Sequence, residues 1–282
     1  MWDKHSKRLF WAGTLPAAIL MSQMVIYGLH LALGFQLHFN LFQLCQSVVR
    51  RFGLTLAVQS LDAVVITTLI LAIAVMGRQL YAARSAQRTL YGLMDVRLSA
   101  KYNRQHRDAG GNILVVRSEE PSAFTFGFFR PFIVLSTGLI ELLDKKELDA
   151  VIRHERYHQR HGDPLKTYVL YFFGQVLWYI PILNWLYMRY RLTREILADR
   201  YAIRSQGTPA ALSSALVKML RYGRPPQIAV AHVSFAETGV NMRIRQLLEP
   251  NEQTSLELPL TLAAISVHVI IVLGALFLLA CS

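Results

Sequence analysis

Twenty-seven consecutive residues, Leu9 to Phe35, carry no charged side chain and are mostly apolar. A helix needs about 20 such residues to cross a hydrocarbon core, so this stretch constrains the fold more than any other feature. It follows Lys4, Lys7 and Arg8, as a signal peptide would. A signal's apolar region, however, runs only about 7–15 residues before a small-residue cleavage site. Here the uncharged run continues through Gln36–Val49, and the segment reads as an uncleaved anchor. A second stretch, about 54–77, stops at Arg78 and contains Asp62, a carboxylate close enough to one end to reach interfacial water or a polar neighbour. A third, Leu258–Ala280, is uncharged, with His268 read as a packing residue. The composition agrees: 17% of residues are charged, against about 25% in a soluble domain.

Basic residues orient these spans. Lys4, Lys7 and Arg8 precede the first, and only Arg50 and Arg51 lie between the first two. After the second come Arg78, Arg84, Arg88, Arg97, Lys101, Arg104 and Arg107 against Asp95 alone. The N-terminus and the central domain are therefore expected on the cytoplasmic side of a multi-pass cell-membrane protein. The net charge of +12 reads as juxtamembrane contact with anionic lipid, with no direct nucleic-acid binding. Two cysteines, Cys45 and Cys281, exclude a disulfide scaffold or a Cys-rich zinc module and are read as unpaired.

The expected division is an N-terminal membrane region at 1–84, with spans at about 9–35 and 54–77, a central domain at 85–255, and a C-terminal transmembrane helix at 256–282. In the central domain residues 79–107 read as a basic helix ended by Gly110-Gly111-Asn112. Three β-type runs follow, Ile113–Arg117, Ala123–Phe126 and Phe132–Leu135, bounded by Pro121 and by Gly127 to Pro131. Helices are expected at 144–161, 189–205, 208–222 and 238–248. The class is α+β.

The helix at 144–161 contains His154-Glu155-Arg156-Tyr157-His158. Imidazoles at i and i+4 lie one turn apart on one face and reach a single ion. Glu155, beside the first histidine, is placed to take a proton from an attacking water. The bland alternative is an ordinary polar helix face. A hydrolytic zinc site also needs a third protein ligand and one open position. His161 shares the face, but helical rise sets it about 10.5 Å from His154, too far for one ion. Glu195 and Asp199 form another i, i+4 pair on a separate helix. Glu195 could bind the metal and Asp199 could hold the unused N–H of a ligand histidine. A His, His, carboxylate set favours zinc, though cobalt or manganese can occupy one.

One stretch tests this arrangement. Thr167–Met188 is 22 residues without a charge, about 33 Å long as a helix. Were it to cross the bilayer, Glu195 would be separated from His154 and His158. Pro181 interrupts it, between Trp178-Tyr179 and Asn184-Trp185, the residues of a membrane interface. The expectation is a membrane-associated helical hairpin at 167–188 that returns.

Together with Ser122–Gly127, Arg130-Pro131, Leu135–Leu139, Glu147-Leu148, Ala150-Val151, His154–His158, Asp163-Pro164, Glu195–Asp199, Arg243-Ile244 and Leu247-Leu248, the chain resembles membrane gluzincin metallopeptidases over about 113–250. It is most similar to the antirepressor family of the BlaR/MecR β-lactam sensors, and next to the HtpX and CAAX-prenyl-protease family. The resemblance implies a multi-span helical membrane protein with a cytoplasmic, minigluzincin-like zinc peptidase domain. It implies one zinc ion per chain on His154, His158 and Glu195, Glu155 as general base, and Asp199 supporting a ligand histidine. The strand Ala123, Phe124, Thr125, Phe126 would take an extended peptide onto its edge. For the oxyanion stabiliser Arg243, His232 and Tyr201 stay open. The chain ends just after its last apolar segment, so the penicillin-binding sensor domain of those receptors is expected to be lacking.

The resulting expectation is a zinc metalloendopeptidase acting on a protein substrate at the cytoplasmic membrane face, with a BlaI-like winged-helix repressor as partner in signal transduction. The alternatives are HtpX-like quality control of membrane proteins, and a non-catalytic membrane sensor or anchor. Glu155 argues against the last, since it serves no purpose in a closed structural site.

Overall fold

The computed structural model describes residues 2–33, 55–106, 112–222 and 259–278. Among these the chain is mostly helical with one small sheet. The helices are α1 (Trp2–Leu33), α2 (Thr55–Gly92), α3 (Val96–Gln105), α4 (Thr137–Leu142) and α5 (Lys145–His161). They continue with α6 (Asp163–Val176), α7 (Pro181–Gln206), α8 (Ala210–Tyr222) and α9 (Leu260–Leu278). Two compact units result, one of residues 1–6, 79–168 and 190–255, the other of 7–78, 169–189 and 256–282. The expected helix at 238–248, the turn residues Gly110 and Gly111, and both cysteines lie outside the described residues.

In the first unit β1 (Ile113–Val116), β2 (Ala123–Phe126) and β3 (Phe132–Ser136) are ordered β1-β3-β2. β1 runs parallel to β3 with Ile113 opposite Ile133, and β2 antiparallel with Phe126 opposite Phe132. The run Ile-Leu-Val-Val of β1 has no polar alternation because both of its faces are covered. Ile113 and Val115 meet Ile133, Leu135, Leu139, Leu148 and Ile152 on one side. Leu114 and Val116 meet Val134, Phe126, Ala86 and Leu90 on the other. The sheet is thus clamped between α5 and the last turns of α2, leaving β2 as an edge strand.

Helix α5 has strong local signals at both ends. Asp144 caps it by accepting from the Lys146 and Glu147 amides, and the Glu147 carboxylate accepts from the Asp144 amide at 2.8 Å. Gly162 ends it in the left-handed region at φ 60°. Glu147 also receives Ser214 Oγ at 2.6 Å and Lys218 Nζ at 2.7 Å from α8. Burial works against its charge, but these donors outweigh that and hold its carboxyl below the usual range.

The turn from β3 into α4 explains Ser136-Thr137-Gly138. Ser136 Oγ accepts from the Ser122 and Leu139 amides, tying β2 to the start of α4. A Cβ on Gly138 would lie 1.9 Å from the Glu119 carbonyl oxygen. Gly138→Ala is therefore expected to cost about 3 kcal/mol, the upper range for overpacking against groups that cannot swing away. Gly77→Ala, inside α2 with open space around it, should instead stabilise by about 1 kcal/mol on the helix scale and raise the melting temperature by about 2–4 °C. Thermal denaturation of the two variants side by side checks this.

Two expectations are corrected. The span ending near 77 and the basic helix 79–107 are not separate: α2 runs unbroken for 38 residues to Gly92, because nothing between Arg78 and Tyr91 disrupts a helix. The break comes at Gly92, after which Asp95 caps α3 by accepting from the Leu98 amide at 2.9 Å. Likewise the helix expected at 189–205 begins at Pro181. Proline there occupies the first helical position, where its missing N–H costs nothing.

The second unit contains the greater part of α1, α2 up to Arg78, the hairpin residues 169–189 and α9. Asp62 finds its polar neighbour within the apolar stretch: Tyr27 donates its hydroxyl to Oδ1 at 2.6 Å. The first turn of α7 is satisfied from α9, where Ser266 Oγ accepts from the Ile182 amide at 3.0 Å. Asp3–Leu29 and Asp62–Gly92 are long and apolar enough to cross a membrane, by length and composition.

Candidate metal centre

The hairpin at 167–188 turns over 177–180 and returns as α7, which brings Glu195 back to the first unit. His154 and His158 on α5 and Glu195 on α7 each offer a ligand atom within 4.8 Å of the others. The two Nε2 atoms are 3.2 Å apart, His154 Nε2 is 3.5 Å from Glu195 Oε2, and His158 Nε2 is 3.6 Å from Glu195 Oε1. A tetrahedral ion with bonds of about 2.0–2.1 Å spaces its ligand atoms about 3.3–3.4 Å apart. The donor set fits zinc.

Each imidazole is backed by its own carboxylate. His154 Nδ1 lies 2.8 Å from Asp199 Oδ1, and His158 Nδ1 lies 2.8 Å from Asp163 Oδ2. A carboxylate at Nδ1 favours the tautomer with the proton there, which leaves the Nε2 lone pair free. Two such lone pairs and the Glu195 carboxylate then face one another as acceptors, an arrangement that a cation completes. Glu195, at 37% side-chain exposure, gives the site an opening.

Sequence reasoning assigned Asp199 to a ligand histidine but gave Asp163 no such part. The available signal was local: Asp163 follows the left-handed Gly162, and that reversal carries its side chain back to His158. Asp163 is held in turn by Arg194, whose Nε reaches Oδ1 at 2.8 Å and Oδ2 at 2.9 Å, both side chains about 5% exposed. The guanidinium also lies 4.6 Å from the centre of the Tyr157 ring. Burial opposes the Arg194 charge, but Asp163 outweighs it and keeps the guanidinium above its usual pKa. Burial pushes the Tyr157 hydroxyl up to about 12.

Glu155 is buried at 8% exposure. The Thr125 hydroxyl lies 2.9 Å from both its carboxylate Oε2 and its backbone carbonyl oxygen. Thr125 belongs to β2, so the edge strand is pinned directly to the acidic side chain beside the metal ligands. Ala123 packs on the α5 side of the sheet, while Phe124 and Phe126 pack on the α2 side. His161 stays apart from the cluster: its Nδ1 donates to the Tyr157 carbonyl at 2.8 Å and burial lowers its pKa. Tyr201 accepts from Arg160 at 3.1 Å. His232 and Arg243 lie outside the described residues.

The profile of the BlaR1 peptidase M56 family matches residues 45–247. The chain belongs to this family. It is therefore a member of a metallopeptidase family, with HtpX proteases as relatives. It is 33% identical over 130 residues to the plastoglobule-localized metallopeptidase 48 of Arabidopsis thaliana, covering 42% of this chain and 37% of that one. It is 25% identical over 179 residues to a protease HtpX homolog of Sulfurovum sp., covering 50% of this chain and 65% of the relative. A protease HtpX homolog 2 of Methanosarcina mazei is 28% identical over 141 residues, covering 38% and 48%. The chain thus spans roughly a third to two thirds of the length of the curated relatives it matches. The crystal structure of S. mikatae Ste24p superposes with a TM-score of 0.32 at 15% identity, covering 83% of this chain and 66% of that one, too loosely to carry an argument.

Proposed function

We propose that this protein is an integral membrane zinc endopeptidase that hydrolyses peptide bonds of a protein substrate at the cytoplasmic membrane face. The observation that carries this reading is the convergence of His154, His158 and Glu195 beside a buried Glu155. The three would hold one zinc ion per chain. When bound, zinc supplies a Lewis acid that polarises a carbonyl and lowers the pKa of water. Glu155 accepts the proton of the attacking water and later delivers it to the departing amine. The Thr125 hydroxyl fixes the rotamer of Glu155, and Asp199 and Asp163 fix the two imidazoles. The free edge of β2, residues Ala123 to Phe126, takes the substrate as an added strand.

In this reading residues 85–255 are the peptidase domain, with membrane regions at 1–84 and 256–282 and a membrane-associated hairpin at 167–188. The surface of the second unit supports the membrane placement. Trp11, Leu15 and Ile19 on α1 and Ile66, Ile70 and Ile73 on α2 are each 47–75% exposed, stripes suited to lipid. The positive-inside count supports the cytoplasmic side.

The substrate reading drawn from the antirepressor resemblance is a BlaI-like winged-helix repressor cut once in signal transduction. HtpX-like quality control is supported equally by the protease HtpX relatives. Cleavage by the purified protein in lipid vesicles separates the two. One product pair from a repressor, with casein and unfolded membrane proteins left intact, supports the regulatory reading. Many products from unfolded proteins support quality control. No chelator-sensitive cleavage of either class contradicts the peptidase assignment.

A further inference from the structure

The β2–β3 connection, Gly127-Phe128-Phe129-Arg130-Pro131, has no part in the site described above. Three features fix its shape. Gly127 adopts φ +103°, a conformation strained for other residues. Gln159 of α5 donates from Nε2 to the Pro131 carbonyl at 3.0 Å. Phe128 packs on Tyr168 of α6, with ring centroids 5.0 Å apart. Between these anchors Phe129 is held outward at 88% exposure, the largest value for a big apolar side chain among the described residues. Arg130 beside it is exposed as well.

A single exposed phenylalanine is unremarkable on most surfaces; the place of this one is what matters. Tyr168 is the second residue of the uncharged stretch Thr167–Met188, and Asp163 and Lys166 are the last charges of α6 before it. By packing on Tyr168, Phe128 sets its end of the loop at the level along α6 where charge ends and apolar sequence begins. Aromatic rings and arginine at such a level are the residues of a lipid–water boundary.

We propose that the 127–131 loop is a lipid-contacting element, with Phe129 seated at the boundary of headgroups and acyl chains and Arg130 paired with anionic phosphates. This rests on the membrane placement proposed above. Because β2 runs directly into the loop, the contact holds the edge strand at the bilayer surface. The substrates it favours are then segments lying next to a membrane, in preference to those reached only from solution.

The test uses the full chain with Cys45→Ser and Cys281→Ser, and single cysteines introduced as Phe129→Cys, Ile70→Cys or Lys145→Cys. Each is nitroxide-labelled and reconstituted in vesicles of phosphatidylcholine and phosphatidylglycerol. Collision with oxygen, which concentrates in lipid, is compared with collision with a water-soluble nickel chelate. Ile70, 62% exposed in the apolar stretch of α2, reports the membrane placement, and the exposed Lys145 reports water. The proposal expects an oxygen-to-nickel ratio at 129 clearly above that at 145 and below that at 70, which lies deeper in the apolar stretch. A ratio at 129 equal to that at 145, with 70 in lipid, overturns the proposal and leaves the membrane placement standing. Water-like ratios at both 70 and 129 overturn both. All three sites are exposed, so labelling is not expected to disturb the fold, and unchanged thermal melting of each labelled chain verifies this.

Discussion

Glu155→Gln is expected to lower kcat/KM for a protein or peptide substrate about 10²–10⁴-fold, the range for loss of a positioned general base. The substitution removes the proton acceptor but keeps the side chain's size and its contact with the Thr125 hydroxyl, 2.9 Å away. His154, His158 and Glu195 are untouched, so zinc content should stay at the wild-type level. Both readings are needed together. Lost activity with retained zinc identifies Glu155 as the group handling protons. Activity within a few-fold of wild type would mean that another residue takes the proton.

The second large effect concerns the buried pair behind His158. Asp163→Ala is expected to destabilise the fold by about 3 kcal/mol, because it removes the close partner of the buried Arg194 guanidinium and leaves only the half-exposed Asp3, 4.0 Å away. It should also weaken zinc binding about 10–100-fold by freeing the His158 ring. These two consequences can be separated. Replacing the pair together, Asp163→Leu with Arg194→Met, removes the stranded charge and is expected to restore much of the stability, as apolar replacements of buried ion pairs often do. Zinc affinity should not recover, since His158 Nδ1 still lacks the carboxylate now 2.8 Å away. Chemical denaturation and competition with a chelator measure the two quantities. Recovery of both in the double variant would mean that Asp163 serves only to neutralise Arg194.

What the sequence made legible was local. The helix expected at 144–161 forms over Lys145–His161, within a residue of those limits, and the imidazole spacing within it is a matter of helical period. The alternating run Ala123–Phe126 reads as a strand and forms one with those limits. The features that stayed hidden depend on contacts distant in the chain. Nothing near Arg78 says whether α2 ends there, because a charge marks a membrane boundary without interrupting a helix. Asp163 looks like an ordinary first-turn acid of α6 until Arg194, 31 positions later, closes on it. The 167–188 stretch has the length and polarity of a span. That it returns followed only from requiring Glu195 to reach the histidines.

The central claim, that His154, His158 and Glu195 hold one zinc ion across that hairpin, is tested most directly by zinc content per chain. Wild-type protein and its Glu195→Ala and Glu155→Gln variants are purified in detergent, supplied with zinc, freed of excess and measured by metal analysis. The account predicts about one zinc per chain in wild type and Glu155→Gln, and a large loss in Glu195→Ala, from the three protein ligands of a catalytic site. Full retention of zinc in Glu195→Ala, or no zinc in any of the three, would contradict it.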